Sequence, residues 1–414
     1  MHRNRCYRTE FGAQIQQVVG LGDGVVGRGA VIRVAFGHDT TEFGGVEVVL
    51  SRVFAGLDRE RFEQVLVVPD TDDPFRRSPQ ELIAEAELAG VRVEKFRAPG
   101  LGVLGQMREF LSAWKLFRRV RPDVLHIHTS RVIGARKLSW AAWCAQVPVI
   151  VRTEHNSPTA FSQADLGRRR IRLFDAATDR IYTVSFHDRQ EQIELVPRDS
   201  AKVVAVQNGV DHHKYSRSNP EVVGLLRPDG VDGDVLAVAV GRLSPQKGFG
   251  DLVKAHAELR SRGVSVALAI AGTGELESEL RALAKTLGVE GSVWWLGQVD
   301  DVRPLLAAAD IAVMSSLHEG FSLALLEMMS FGLPTVVTDH PGLREAIVEG
   351  STSLVVPRSN PAELASAIAE LVQSEPRRKE MGRAARAHVE AHHTLEAYLA
   401  RVANEYVELL GRRD

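Results

Sequence analysis

Two glutamates, Glu319 and Glu327, stand eight residues apart in the segment EGFSLALLE. Between them the residue types change from loop to helix. Gly320 and Phe321 precede Ser322, a residue type that caps helices, and Leu323, Ala324, Leu325 and Leu326 open an apolar run. A helix start carries backbone N–H groups with no partner inside the helix, together with the positive end of its dipole, so it suits a phosphate. Glu327 would lie about 7–8 Å further along, at ~1.5 Å per residue. One carboxylate before the phosphate-binding end and one beyond it could each hold hydroxyl groups. A nucleotide-sugar has hydroxyls in both places, on the sugar to one side of its diphosphate and on the ribose to the other.

Cations that could grip such a diphosphate lie upstream. Arg242 and Lys247 fall in GRLSPQKGF, directly after the apolar run VLAVAVG, where Gly241, Pro245 and Gly248 mark a tight turn. Arg can bind phosphate through two parallel hydrogen bonds, while Lys acts as a movable point charge. AGTGELESEL follows the next strand, and its Gly272 and Gly274 would let backbone approach a ligand closely. The third glycine of a dinucleotide fingerprint is missing from it. After a further strand, the backbone of WWLGQVDD could meet a nucleobase, with Trp294 and Trp295 read as packing residues rather than stacking platforms.

The first half offers weaker candidates. Gly44 and Gly45 separate a first strand from its helix and would let backbone crowd a phosphate. His128 ends the strand DVLHIH, where an imidazole can donate a hydrogen bond to a sugar hydroxyl; His126 points to the same face by strand period but lies further from the strand end. His155, with Glu154 and Asn156 beside it, is a similar acceptor-side candidate. The acidic pair Asp70 and Asp72 in PDTDDP reads as a solvated turn rather than a metal site, and no His or Cys cluster has zinc spacing. No metal and no cofactor are expected, since the two cations and the helix start supply the positive charge.

Positioning these groups takes a repeated strand–helix alternation. VIRVAF, VLVVP, VRVEKF, DVLHIH, VPVIVRTEH, RIYTVS and KVVAVQNGV read as strands in the first half. VLAVAVG, SVALAIAG, SVWWLG, IAVMSS, PTVVT and SLVVP do so in the second. Such runs predict parallel sheets covered on both faces. The fold class is therefore α/β, with two doubly wound Rossmann-like domains facing a cleft. The first domain is placed at residues 31–211, a polar Gly- and Pro-rich linker at 212–234 and the second domain at 235–390, with a C-terminal helix in 391–414 packing back across the junction. Residues 1–30, with Arg3, Arg5 and Arg8 before a Gly-rich stretch, read as a disordered or miscalled N-terminal extension and make a poor signal peptide.

Composition narrows the classes. The 414 residues are 44% hydrophobic and 25% charged, as in ordinary globular enzymes, and the net charge of −2 gives no basic field for nucleic acid. Two cysteines, Cys6 and Cys144, form no disulfide framework, and no apolar run approaches bilayer length, so a cytoplasmic location is expected. The basic helix containing Arg108, Lys115, Arg118, Arg119 and Arg121, and the run Arg168, Arg169, Arg170 and Arg172, could place the protein peripherally on the anionic inner face of a membrane.

GRLSPQKGF, AGTGELE, WWLGQVDD, HEGFSLALLE and FGLPTVVT together resemble the nucleotide-binding half of family-4 retaining glycosyltransferases of the GT-B fold. FGG, DVLHIH, VRTEHN and QNGVD add weaker matches, extending the resemblance from residue 31 to about residue 410. The resemblance implies that Arg242 and Lys247 bind the donor diphosphate, that Glu319 contacts the transferred sugar and that Glu327 binds the ribose. It places the backbone of Gly320, Phe321, Ser322 and Leu323 against sugar and phosphate. It also implies retention at the anomeric carbon, with no metal, and a role in making polysaccharide or cell-envelope glycans. The acceptor would be a hydroxyl of a glycan, glycolipid or polyprenyl-linked saccharide. A nucleotide-sugar epimerase or phosphorylase on the same fold is the alternative, and a non-catalytic sugar-nucleotide-binding protein a further one.

Overall fold

A computed structural model describes residues 31–38, 44–70, 77–97, 102–130, 135–156, 168–222 and 235–413. The N-terminal extension, Asp72 of the acidic pair, residues 223–234 of the linker and the side chains of Arg168, Arg169 and Arg170 lie outside the described residues.

The first sheet has seven strands: β1 (Ile32–His38), β2 (Phe62–Asp70), β3 (Arg92–Arg97), β4 (Val124–Thr129), β5 (Val149–Glu154), β6 (Arg180–Thr183) and β7 (Val203–Ala205). Their order is β3-β2-β1-β4-β5-β6-β7, and β1 pairs in parallel with both β2 and β4. The second sheet has six: β8 (Leu236–Val240), β9 (Ala267–Ala271), β10 (Val293–Gly297), β11 (Ile311–Met314), β12 (Thr335–Thr338) and β13 (Ser353–Val356). Their order is β10-β9-β8-β11-β12-β13, with every neighbouring pair parallel. Strands buried on both faces must be apolar throughout, which is why LAVAV, ALAIA and IAVM lack the alternation of a half-exposed strand. These are the two Rossmann-like sheets of the expected fold class.

Each sheet has a point where the chain reverses its direction of travel. In the first the chain runs outward from β1 to β3 and returns to β4 on the other side of β1; in the second it does the same around β8 and β11. Loops leaving the carboxyl ends of the two strands at such a point diverge and leave room for a ligand. Gly44 and Gly45 follow β1 and His128 lies at the end of β4; Arg242 and Lys247 follow β8 and Glu319 follows β11. Topology thus puts the candidate residues at the two switch points.

By internal contact the chain forms two compact units. One is drawn from residues 31–153, 169–181 and 399–413, the other from residues 154–168 and 182–398. In the first, Tyr406 near the C-terminus is buried, and its hydroxyl lies 2.5 Å from Nδ1 of His126, whose Nε2 lies 2.7 Å from the Thr153 hydroxyl. In the second, the sheet is covered by Leu252, Val253, Leu280 and Ile368 on one face and by Leu325, Met328, Met329 and Leu343 on the other. A helix at Phe186–Leu195 has no counterpart in the sequence reading, because FHDRQEQIEL is too polar to show a helical stripe. Among the described residues no helix is long and apolar enough to cross a membrane.

Candidate active site

The turn after β8 begins with Gly241 and Arg242, tightens into a short 3-10 helix at Pro245–Lys247 and enters the helix Phe249–Ser261 through Gly248. Gly248 has φ +65°, and a Cβ there would lie 2.1 Å from the Ser315 carbonyl oxygen, so both conformation and space require glycine. That close approach joins this turn to the segment after β11. The Gln246 carbonyl accepts from Leu317 N–H at 2.7 Å, and the Ser315 hydroxyl donates to the Lys247 carbonyl at 3.0 Å.

Two side chains 72 positions apart consequently meet. Lys247 Nζ donates to Glu319 Oε1 at 2.6 Å, and the Ser316 hydroxyl donates to the same oxygen at 2.8 Å. The pair is mostly enclosed, with the Lys247 side chain 19% and the Glu319 side chain 9% exposed. A charge-assisted bond in such a place fixes both groups rather than leaving two mobile surface charges. Arg242 is exposed on the same turn.

Past Glu319 the chain turns into the helix Leu323–Ser330. Ser322 caps it as the residue type predicts, its Oγ accepting from Leu325 N–H at 3.3 Å. The N–H groups of Leu323 and Ala324 precede the first intrahelical bond and are the ones available to an anion. Phe321 is 5% exposed and anchors the turn in the core, while the Asn208 side chain donates to its carbonyl at 3.3 Å. Glu327 follows one turn into the helix and is buried. One cation, two carboxylates and a capped helix start are thus gathered at the second switch point.

The structure bears on several expectations. A Cβ at Gly272, whose φ is +137°, would lie 2.0 Å from the Gly241 carbonyl oxygen, and one at Gly274 would lie 2.4 Å from that of Leu243. These glycines admit the neighbouring turn of the protein and so hold the Arg242 loop in place. Glu154 is no acceptor-side group in this structure. It is buried, and its Oε2 accepts from Gln192 Nε2 at 2.6 Å and Arg198 at 3.1 Å. Trp294 and Trp295 pack on the core as expected, with the Arg281 guanidinium 5.3 Å from the Trp295 ring.

His155 is kept neutral by burial, which lowers its pKa to about 4, and its carbonyl faces Gly320. Asn156, beside it, is exposed. In the first unit His128 is fully buried, its ring 4.2 Å from that of His126. Gly44 N–H donates to the buried carboxylate of Glu47 at 2.8 Å, so the Gly44–Gly45 turn is held from behind by its own helix. A Cβ at Gly45 would meet nothing within 4 Å.

Sequence reasoning also missed a wall of the site. Gly342 lies in the short helix Pro341–Arg344, and a Cβ on it would lie 2.0 Å from the Gly320 carbonyl oxygen and 2.4 Å from that of Glu319. His340 caps that helix, its Nδ1 accepting from Gly342 N–H at 3.1 Å. Acceptance needs an unprotonated nitrogen, and burial lowers the His340 pKa to about 4, with the charge of Arg358 adding to the effect. The contact of this segment with Glu319 and Gly320 joins parts of the chain more than twenty residues apart and exists only in three dimensions.

Comparisons with known proteins bear on the family and the fold. Residues 229–388 match the family described as Glycosyl transferases group 1, and residues 43–214 match Glycosyltransferase Family 4. A relative from Escherichia coli, UDP-Gal:alpha-D-GlcNAc-diphosphoundecaprenol alpha-1,3-galactosyltransferase, is 27% identical over 313 residues, covering 71% of this chain and 79% of its own. The crystal structure of Anabaena HepE in complex with UDP has a TM-score of 0.73 at 21% identity, covering 90% of this chain and 99% of that one. A glycosyltransferase from Rickettsia africae has a TM-score of 0.74 at 18% identity, covering 92% and 98%. The chain is a glycosyltransferase of the two-domain GT-B fold. It belongs to glycosyltransferase family 4.

Proposed function

We propose that this enzyme transfers a sugar from a nucleoside-diphosphate sugar to a hydroxyl of a glycan or lipid-linked acceptor, retaining the anomeric configuration and using no metal. The observation that carries this reading is the Lys247–Glu319 pair beside the Ser322-capped helix start. Bond cleavage puts negative charge on the leaving diphosphate and positive character on the sugar ring. In this reading Lys247, Arg242 and the first-turn amides stabilise the former, Glu319 holds a sugar hydroxyl and Glu327 holds the ribose. A leaving phosphate oxygen can take the acceptor proton on the face it departs from, so no separate protein base is required. Relatives bear on the substrates: the Anabaena protein is bound to UDP, and the Escherichia coli enzyme is named for a diphosphoundecaprenol-linked substrate.

A panel of nucleotide-sugars screened by thermal shift tests the donor. The right one, at 100 times its dissociation constant, should stabilise the protein by roughly 2.7 kcal/mol. The same protein with donor and acceptor should give a product of unchanged anomeric configuration by NMR, and turnover should survive EDTA. Interconversion of donors without acceptor would instead identify an epimerase.

A lipid-linked acceptor would bring the enzyme to a membrane, and the helix Gly102–Val120 is suited to that. Val103, Leu104, Met107 and Leu111 are exposed on it, with Arg108, Lys115 and Arg118 exposed alongside. Lys and Arg near an anionic surface contribute about 1 kcal/mol each, and buried apolar side chains add to this. Binding to vesicles containing phosphatidylserine should fall with salt, and Leu104→Asp with Met107→Asp should abolish it. Equal binding to neutral vesicles would remove the role given to anionic lipid, and no binding to either kind would remove the membrane reading.

A further inference from the structure

Gly320 sits between two walls. On one side is Gly342, as described. On the other are the His155 carbonyl, the Val184 side chain and Oδ2 of Asp188, which would lie 2.8, 3.0 and 3.2 Å from a Cβ at position 320. Asp188 belongs to the first turn of the helix Phe186–Leu195, which Ser185 caps by accepting from Asp188 N–H at 3.0 Å. The Asp188 side chain is fully buried, and neither of its carboxyl oxygens has a well-formed hydrogen bond. A carboxylate in that condition is costly; a protonated carboxyl is far less so.

The two walls are tied together by Glu345. Its carboxylate accepts from the N–H groups of Phe186 at 2.8 Å and His187 at 2.6 Å and from Gln207 Nε2 at 3.0 Å. Glu345 directly follows the Pro341–Arg344 helix that carries Gly342. The start of the Phe186–Leu195 helix and the Gly342 wall are therefore one rigid frame around the turn that holds Glu319. The mechanism proposed above makes no use of Asp188.

We infer that Asp188 is a positioning residue for the turn Glu319, Gly320 and Phe321, and that it supports the turn only as an uncharged acid, so that ionising it loosens the turn and weakens donor binding. The charged and titratable groups around it fit this. Burial pushes its pKa up to about 7, the Ser185 hydroxyl and His187 pull it back, and Glu345 and Glu191 push it further. His155, whose carbonyl shares the wall, stays neutral, and Glu319 in the turn itself is paired with Lys247. A helix start favours an anion, yet here desolvation outweighs it. Since the folded-state value lies above the unfolded one, the stability tied to this proton is complete below the ordinary aspartate value of 3.8 and is lost as pH rises through about 7.

This inference rests on the donor-site reading for its consequence, but its first test needs no ligand. Hydrogen exchange of the apo full-length protein should show amides of residues 319–327 losing protection between about pH 6 and about pH 8.5, after correction for intrinsic rates, in wild type and not in Asp188→Asn. In the same range the Kd for UDP should rise about tenfold, or about 1.4 kcal/mol, in wild type only. As a measurement independent of any variant, carboxyl-13C-labelled aspartate should show one residue titrating near neutral pH. Parallel pH profiles in wild type and Asp188→Asn, or no aspartate titrating near neutrality, would overturn the inference. If the exchange result holds while Lys247→Met leaves UDP binding unchanged, the donor-site reading fails and the positioning role stands.

Discussion

Replacing Lys247 with methionine is expected to cut kcat/KM by about 10²- to 10³-fold, equivalent to about 2.7–4 kcal/mol of transition-state stabilisation. Methionine keeps most of the length and the apolar stem of the side chain and removes the ammonium group, with its charge and its hydrogen bond to Glu319. Two losses coincide. The leaving diphosphate loses a preplaced cation, and Glu319, mostly enclosed, keeps the Ser316 hydroxyl but loses its ion-pair partner. Because charge grows on the diphosphate as the bond breaks, kcat should fall as well as KM rise. Lys247→Arg is expected to recover only part of the activity, since a planar guanidinium cannot reproduce a single 2.6 Å contact to Glu319 Oε1 and still reach a phosphate at the same point. Steady-state kinetics with the donor identified by thermal shift would check this. A Lys247→Met enzyme within threefold of wild type would remove Lys247 from the machinery.

The second large effect is expected from one added methyl group. Gly342→Ala places a Cβ 2.0 Å from the Gly320 carbonyl oxygen and 2.4 Å from that of Glu319. Both neighbours are backbone, so no side chain can swing away, and either the helix Pro341–Arg344 or the Glu319 turn must move. Overpacking of this kind costs about 1–3 kcal/mol of stability. Misplacing a catalytic group by about 1 Å can cost about 10²-fold in rate. Activity should therefore fall further than stability does. Gly250→Ala is the control: nothing lies within 4 Å of a Cβ there, the position is helical, and alanine should gain about 0.5–1 kcal/mol. Thermal midpoints and kcat/KM for the two variants would decide it. If Gly342→Ala behaves like Gly250→Ala, the Gly342 wall does not position the turn.

What could be read from the sequence follows a physical line. Buried parallel strands announce themselves as unbroken apolar runs, so both sheets were legible. The Ser322 cap was legible because a hydroxyl residue before an apolar run has one common structural use. The meeting of Lys247 with Glu319 was not read from the sequence; it follows from topology, which makes β8 and β11 neighbours and their following loops adjacent. For Gly272 and Gly274 the sequence shows that something comes close to the missing Cβ without saying what; the structure places the Gly241–Leu243 backbone there. Glu154 was misread because its partners Gln192 and Arg198 come from the helix that sequence periodicity does not reveal and from the segment following it. Gly342, Asp188 and Glu345 were invisible for a related reason. Each acts through a contact with a distant backbone segment, and nothing local in the sequence records that.

The central claim is that a nucleoside diphosphate binds at the turn between β11 and its helix. The most direct measurement is a crystal structure of the protein with whichever of UDP, GDP and ADP gives the largest thermal shift. The phosphates are expected within hydrogen-bond reach of Lys247 Nζ and of the Leu323 and Ala324 amides, with the ribose on Glu327. Diphosphate density elsewhere, with that turn empty, or no shift from any of the three, would contradict it.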